Sequence, residues 1–304
     1  MKNIIITGAN GFVGFWFVKE FAKHNCNITA VIKDTNANIS MFEGINNIDI
    51  VYCELSELNT LPEKLAGKSF DTFYHIAWVA AGGAGRADYS IQLQNVKYAC
   101  DALTVASELG CSKILFAGTI TEKLTESIDR LSTATNNIYG IVKNTSHSLV
   151  KILAQKYNIE YVWMRFANLY GPHSVNGNIV GYTIKELLLG NEATFGPAQQ
   201  PYDLLYIEDL AKAAYLLGEN KTKRDCYYLG CGDIRKLSDY LLEIGEICGK
   251  RNLIKIGERP DDGTRYEKDW FLIDELKEDT GFEPAFSLSK GITITKDWIQ
   301  STLK

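Results

Sequence analysis

The stretch Thr7-Gly8-Ala9-Asn10-Gly11-Phe12-Val13-Gly14 constrains this chain more than any other. It follows Lys2-Asn3-Ile4-Ile5-Ile6, a short apolar run with β-branched residues, the pattern of a buried parallel strand. It precedes Phe15-Trp16-Phe17-Val18-Lys19-Glu20-Phe21, which reads as a helix packing on a sheet. Glycines in a strand-to-helix turn let the backbone approach a diphosphate closely. The helix N-terminus then offers free N–H groups and a positive dipole end to that anion. The turn predicts a dinucleotide site; the alternative is a turn with a structural role only.

The chain after this turn alternates strand and helix. Asn27–Ile32, Asp49–Cys53, Thr72–Ala77, Lys113–Ala117 and Glu160–Arg165 read as strands two to six. Long helices are expected over Tyr89–Leu109 and Tyr139–Tyr157. Short strands separated by helices imply a parallel, doubly wound α/β sheet. Ligands of such sheets sit beyond the carboxyl ends of the strands, near the point where strand order reverses. Candidate residues therefore belong at the ends of strands one, two, four and five.

Strand two ends in Ile32-Lys33. An acidic side chain near here accepts from the ribose hydroxyls of NAD, whereas a cation suits the extra phosphate of NADP. The expected acidic position falls on Ile32, and Lys33 follows it. This favours NADP(H), with NAD(H) possible if Lys33 is a solvated strand-end lysine and Asp34 takes the ribose role. Tyr139 and Lys143 lie four residues apart, on one face of the helix that begins there. A phenol titrates near ~10, and a fixed ammonium one turn away favours the phenolate. Tyr139 is then suited to exchange a proton with a substrate oxygen while hydride moves at the attached carbon. Thr119, at the end of strand five, is placed to orient that oxygen.

Taken together, these motifs resemble the extended branch of the short-chain dehydrogenase/reductase superfamily, the nucleotide-sugar epimerase, dehydratase and reductase group. The resemblance adds His75-Ile76-Ala77, Asn95, Arg165-Phe166-Ala167-Asn168-Leu169-Tyr170-Gly171-Pro172 and Tyr206-Ile207-Glu208-Asp209-Leu210-Ala211. Arg259-Pro260-Asp261-Asp262 and Thr280-Gly281-Phe282-Glu283-Pro284 follow. It implies a Rossmann-like sheet with a smaller C-terminal substrate-binding lobe. The sheet domain is expected over 1–170 plus about 204–229, and the lobe over about 171–203 plus 230–304. Implied cofactor contacts are Gly8, Asn10, Gly11, Phe12, Val13, Gly14, Lys33, Glu54, Leu55, Ala77, Trp78, Tyr139, Lys143 and Phe166. Glu54-Leu55 would sit beside the adenine, and Lys143 would also bind the nicotinamide ribose. Asn95 would support the catalytic geometry. Asn168 and Arg259 would approach the diphosphate of a sugar nucleotide, and Arg86, in the glycine-rich loop 80–89, would touch substrate or cofactor phosphate. Thr119 and Tyr139 would meet the sugar. A homodimer through the two long helices is a family expectation.

Departures from the family pattern narrow the activity. The dehydratase members place Asp-Glu directly after their catalytic threonine, whereas Ile120 and Thr121 stand here. Glu122-Lys123-Leu124 replaces the usual Tyr-Gly pair, and Tyr202 replaces an arginine that usually precedes Asp203. The leading expectation is therefore NADPH-dependent reduction of a nucleotide-activated 4-keto-6-deoxyhexose, with Tyr139 as proton donor. The alternatives are an NAD-dependent nucleotide-sugar 4-epimerase and, from another class, a non-catalytic dinucleotide-sensing regulator.

Composition removes other classes. A formal net charge of -5 is too mild to argue for nucleic acid or a membrane surface. Every apolar run is interrupted by Gly, Lys, Asn or Asp before it reaches the length of a membrane span. The seven cysteines are scattered and odd in number, as expected of reduced thiols in a cytoplasmic protein without a secretory leader. No His, Asp or Glu cluster has metal-ligand spacing, so no catalytic metal is expected. His75 reads as a packing residue and His147 as a helix-surface one; His173 could reach the substrate but has no evident partner.

Overall fold

The apolar strands assemble into one parallel sheet. In the computed structural model, which describes residues 1–127, 131–132, 134–135, 137–174 and 177–303, the first six strands are β1 (Asn3–Thr7), β2 (Asn27–Ile32), β3 (Ile48–Tyr52), β4 (Thr72–His75), β5 (Lys113–Thr119) and β6 (Glu160–Phe166). Three short strands, β7 (Asn168–Tyr170), β8 (Ala193–Phe195) and β9 (Pro201–Tyr202), lead to β10 (Leu204–Tyr206) and β11 (Cys226–Leu229). The last two are β12 (Arg235–Lys236) and β13 (Ile254–Ile256). The seven-stranded order is β11-β6-β5-β4-β1-β2-β3, every pair parallel. The chain winds outward from β1 to β3 and then crosses back to lay β4 on the other side of β1. The carboxyl ends of β1 and β4 therefore diverge around a crevice, the place such sheets hold ligands.

The helices are α1 (Phe12–Ala22), α2 (Leu61–Lys64), α3 (Tyr89–Glu108), α4 (Asn137–Tyr157), α5 (Ile179–Leu189), α6 (Ile207–Glu219), α7 (Leu237–Ile247), α8 (Asp274–Thr280) and α9 (Leu288–Thr302). Both sheet faces are covered, so the strands are apolar throughout rather than alternating. Ile4 and Ile6 join the core shared with Phe15, Phe17 and Phe21 of α1. Ile5, between them, joins the opposite core, with Ala102 and Leu103 of α3 and Val150 and Ala154 of α4.

The C-terminal elements have a smaller apolar cluster of their own: Leu187, Ala193, Phe195, Leu237, Leu241 and Ile254. Two-stranded pairings stitch the later segments together: β7 with β10, β9 with β12, and β8 with β13. Strand four stops at His75, two residues earlier than its apolar run suggests, because the Thr7 hydroxyl captures the amides of Ile76 and Ala77 at 3.2 and 3.3 Å. Among the described residues, no helix is long and apolar enough to cross a membrane.

Candidate active site

A cleft of about 1450 Å³ opens beyond the carboxyl ends of β1, β2, β4 and β5. That exceeds the roughly 300–1,000 Å³ of a typical small-ligand pocket, leaving room for two ligands end to end. The glycine turn forms its floor. Gly8 has φ of +68°, and a Cβ there would stand 2.9 Å from the Ala77 Cα. A Cβ on Gly14 would overlap the Gly8 carbonyl, so α1 packs onto the turn only because that atom is missing. Gly11 caps α1 without any side-chain hydrogen bond, and no acidic residue lies in the first turn. The helix N-terminus thus keeps its amides and its positive dipole end for an anion. These residues fit the diphosphate of a dinucleotide.

Lys33, Glu54 and Leu55, just beyond β2 and β3, line one end of the cleft. Ile32 is fully buried, whereas Lys33 is exposed on the cleft wall. The Asp34 carboxylate accepts from its neighbour Asn36 N at 2.8 Å. Ala77, Trp78 and Phe166 line the middle of the cleft beside Asn10, Phe12 and Val13.

Thr119, Tyr139 and Lys143 meet at the far end, and all three are buried. Thr119 ends β5 and caps the 3-10 turn Ile120–Thr125. Its own amide donates to Glu122 Oε1 at 2.7 Å, and its hydroxyl contacts the Thr121 hydroxyl at 3.2 Å. Glu122 is fully buried and also accepts from Trp163 Nε1 at 3.0 Å and Arg165 Nε at 2.9 Å. Helix α4 packs on this turn through Gly140, whose missing Cβ would stand 2.9 Å from the Thr121 carbonyl oxygen. The Asn144 amide donates to the Glu122 carbonyl at 2.8 Å. Tyr139 is thereby brought against Thr119.

Lys143 and Tyr139 have further partners in the cleft. The Lys143 ammonium donates to the Ala117 carbonyl at 2.5 Å and lies 3.4 Å from the centroid of the Trp78 ring. It stands 5.8 Å from the Tyr139 ring centroid, and burial pulls its ionisation below the ordinary lysine range. The Tyr139 phenol is pushed up, first by burial; the Arg86 guanidinium opposes this, Glu122 adds to it, and hydrogen bonding to Arg86 and Thr119 lowers it. The Arg86 guanidinium carbon lies 4.2 Å from the Tyr139 ring centroid.

The structure brings the other candidate cofactor and substrate contacts to the cleft, but neither Arg259 nor Asn95 lines it. Asn168 lines it and donates to the Asp203 carbonyl at 3.4 Å. Arg259 is not among the cleft-lining residues: its guanidinium donates to Thr194 Oγ1 at 2.8 Å and to the Tyr182 hydroxyl at 2.7 Å. Arg265 and Tyr266, six and seven residues on, line the wall instead. Asn95 spends its side chain on the amide and carbonyl of Val79, at 2.8 and 3.0 Å.

The histidines pack. His75 is buried and contacts the Thr7 hydroxyl at 3.0 Å, and burial pulls its ionisation down to about 3. His147, read as a helix-surface residue, instead stacks flat on Trp163 at 4.7 Å. His173 sits between Phe15 and Trp298, at 4.8 and 5.4 Å between ring centroids.

A doubly wound sheet, an uncapped glycine turn and a buried threonine–tyrosine–lysine group define a nicotinamide-dinucleotide enzyme architecture. The chain belongs to the NAD dependent epimerase/dehydratase family, whose model matches residues 4–230. It is similar to an uncharacterised UDP-glucose epimerase of Bacillus subtilis (strain 168), 25% identical over 307 residues, covering 95% of each chain. A dTDP-6-deoxy-L-talose 4-dehydrogenase (NAD(+)) of Aggregatibacter actinomycetemcomitans is 29% identical over 215 residues, covering 69% of this chain and 77% of the relative. The fold matches a Thermotoga maritima UDP-glucose 4-epimerase with a TM-score of 0.82 at 20% identity, over 99% of this chain and all of that one. As a member of this family the protein is an enzyme, and the reading as a non-catalytic sensor falls away.

Proposed function

We propose that this enzyme oxidises and re-reduces the 4-position of a nucleotide-diphosphate sugar, giving net 4-epimerisation. The observation that carries the reading is the Tyr139 phenol, buried at the end of the cleft with Thr119 at its oxygen. The names of the relatives, UDP-glucose epimerases prominent among them, favour epimerisation over the reduction expected first. NAD, when bound, supplies the hydride acceptor and donor. Gly8, Gly11, Gly14 and the N-terminus of α1 would hold its diphosphate, Glu54 and Leu55 would sit beside the adenine, and Lys143 would hold the nicotinamide ribose. Tyr139 takes the proton of the sugar hydroxyl and returns one after the ring has turned over, while Thr119 fixes the oxygen. Glu122 points into the protein rather than the cleft, so the turn offers no acid for water elimination beside Thr119.

The sugar nucleotide lies between residues 1–170 with 204–229, which carry the cofactor, and the lobe of 171–203 with 230–304. Asn168 and Arg265 replace the expected Asn168–Arg259 pair at its diphosphate. The protein works as a cytoplasmic homodimer, in keeping with its seven free cysteines and with exposed apolar side chains on α3 and α4.

A second reading, reduction of a 4-keto-6-deoxyhexose nucleotide by NADPH, is favoured by Lys33 on the cleft wall beside the inward Ile32. Incubation with UDP-glucose, UDP-galactose and 4-keto-6-deoxyhexose nucleotides separates the two. Interconversion without net change in nicotinamide absorbance supports the epimerase, and stoichiometric loss of NADPH absorbance with a keto sugar replaces it by the reductase. In either case Tyr139→Phe is expected to lower turnover by about 100-fold or more while cofactor affinity stays within about twofold. Unchanged turnover would remove Tyr139 from the chemistry.

A further inference from the structure

Arg86 reaches the cleft as a half-buried cation without an acid. It lies in the 3-10 turn Gly83–Ala87, between β4 and α3, and its guanidinium carbon stands 4.2 Å from the Tyr139 ring centroid. Among the described residues no carboxylate forms an ion pair with it. Glu126, on the same cleft, serves Arg165 and Lys123 at 2.9 and 3.1 Å. Asp262, on the facing wall, accepts from Thr264 N at 2.9 Å. Arg265, which shares the cleft with Arg86, is paired with Asp261 at 2.6 Å.

The loop that carries Arg86 is built to hold it there. The fully buried Gln92 amide accepts from Trp78 Nε1 at 2.9 Å and donates to the carbonyls of Ala80 and Gly85 at 3.1 and 3.0 Å. Asn95 pins Val79 from the same helix. Asp88 closes the loop by capping α3, accepting from Ser90 N and Ile91 N. Arg86 Nε is fixed on the Ala81 carbonyl at 2.7 Å, so its terminal amines are the part of the fork left to meet a ligand. Tyr202 and Tyr266 face Arg86 from the opposite wall, and Tyr266 hydrogen-bonds the Thr121 hydroxyl.

The place of the guanidinium says which part of a sugar it would meet. Tyr139 serves the 4-oxygen, and Arg86 covers the Tyr139 ring. The groups flanking C4 are the C3 hydroxyl and the substituent on C5. The hydroxyl is neutral, whereas the C6 carbon on C5 becomes an anion when it is oxidised to a carboxylate. A guanidinium presents N–H groups in one plane that match the two oxygens of that carboxylate. We infer that Arg86 selects a nucleotide-diphosphate hexuronic acid as the sugar substrate, by pairing with its C6 carboxylate. The inference deepens the 4-position reading and rests on Tyr139 serving that position. A neutral hydroxymethyl group in the same place would leave a partly desolvated guanidinium unpaired, which disfavours the plain hexose.

The test is a binding comparison. Isothermal titration of the NAD-loaded full-length protein sets UDP-glucuronate against UDP-glucuronamide and UDP-glucose. The amide keeps the shape of the acid and lacks its charge. The uronate is expected to bind about 30-fold or more tightly than either neutral sugar. Arg86→Gln is expected to bring that ratio to within about threefold, and Arg86→Lys to keep part of it. Equal affinity for the acid and the amide in the native protein overturns the proposal, and that comparison stands even if the variant does not fold. A preference that survives in a folded Arg86→Gln protein, or no binding of UDP-glucuronate at all, overturns it as well. The readout needs no turnover, so the 4-position reading is judged separately. Preferential uronate binding without a 4-epimerised product upholds the role of Arg86 and removes the epimerase reading instead.

Discussion

Ile32 and Lys33 are neighbours that face opposite ways, and the cofactor preference turns on that pair. The β2 side chains alternate across the sheet, so a buried Ile32 puts Lys33 on the cleft side. Asp34 caps its own turn through Asn36. Lys33→Ala is expected to weaken NADPH binding by roughly tenfold while NADH changes by no more than about twofold, as titrations of nicotinamide fluorescence report. An unaltered ratio removes Lys33 from cofactor choice. The glycine turn, Tyr139 and Lys143 were legible in the sequence because each signal is carried by residues a few positions apart. Arg86 on Tyr139 was not, since 53 positions separate them and only the fold closes that distance. Glu122 was missed although its signal is local: Thr119-Ile120-Thr121-Glu122 has the spacing of a capping box, and both halves of that box are present.

Helix α4 shows how an element carries the site. Its N-terminal turn must lie flat on the Ile120–Thr125 turn for Tyr139 to reach Thr119, and Gly140 makes the approach possible. The Asn144 amide then locks the two together through the Glu122 carbonyl and the Thr125 hydroxyl, at 2.8 and 2.9 Å. A branched side chain at 140 would push against the Thr121 carbonyl and Thr125. Gly140→Val is expected to cost about 1–3 kcal/mol of stability in a denaturant melt and to lower kcat more than it raises KM. Equal loss in both, or none, would mean that α4 does not set the Tyr139–Thr119 distance. The helix itself was readable from sequence to within two residues at its start. Its docking was not, because a glycine inside a helical pattern signals only missing volume, and what fills that volume lies elsewhere in the chain.

The whole molecule is woven rather than strung. The chain leaves the sheet after β6 and returns to add β11 at its edge beside β6. The small pairings join distant segments, as β8 does with β13, Ala193 opposite Ile254. Strands of two or three residues carry too little periodicity to be read, so the sheet core and the helices near 240–248 and 288–303 were legible and the small pairings were not. The same packing leaves α3 and α4 with apolar outer surfaces: Tyr89 and Leu93 on one, Ile141, Leu149 and Ile152 on the other. Leu93 is 55% exposed and Ile152 64%, on helices whose inner faces are already buried in the core. Two copies meeting there would cover this strip. The paired change Leu93→Glu with Ile152→Glu places carboxylates where each would have to be buried, which disfavours association by at least about tenfold. Sedimentation velocity is expected to show a dimer for the native chain and a shift toward monomer for the variant, with the thermal melt of each recorded alongside. A native chain that sediments as a monomer at micromolar concentration would leave the strip without a second copy to cover it.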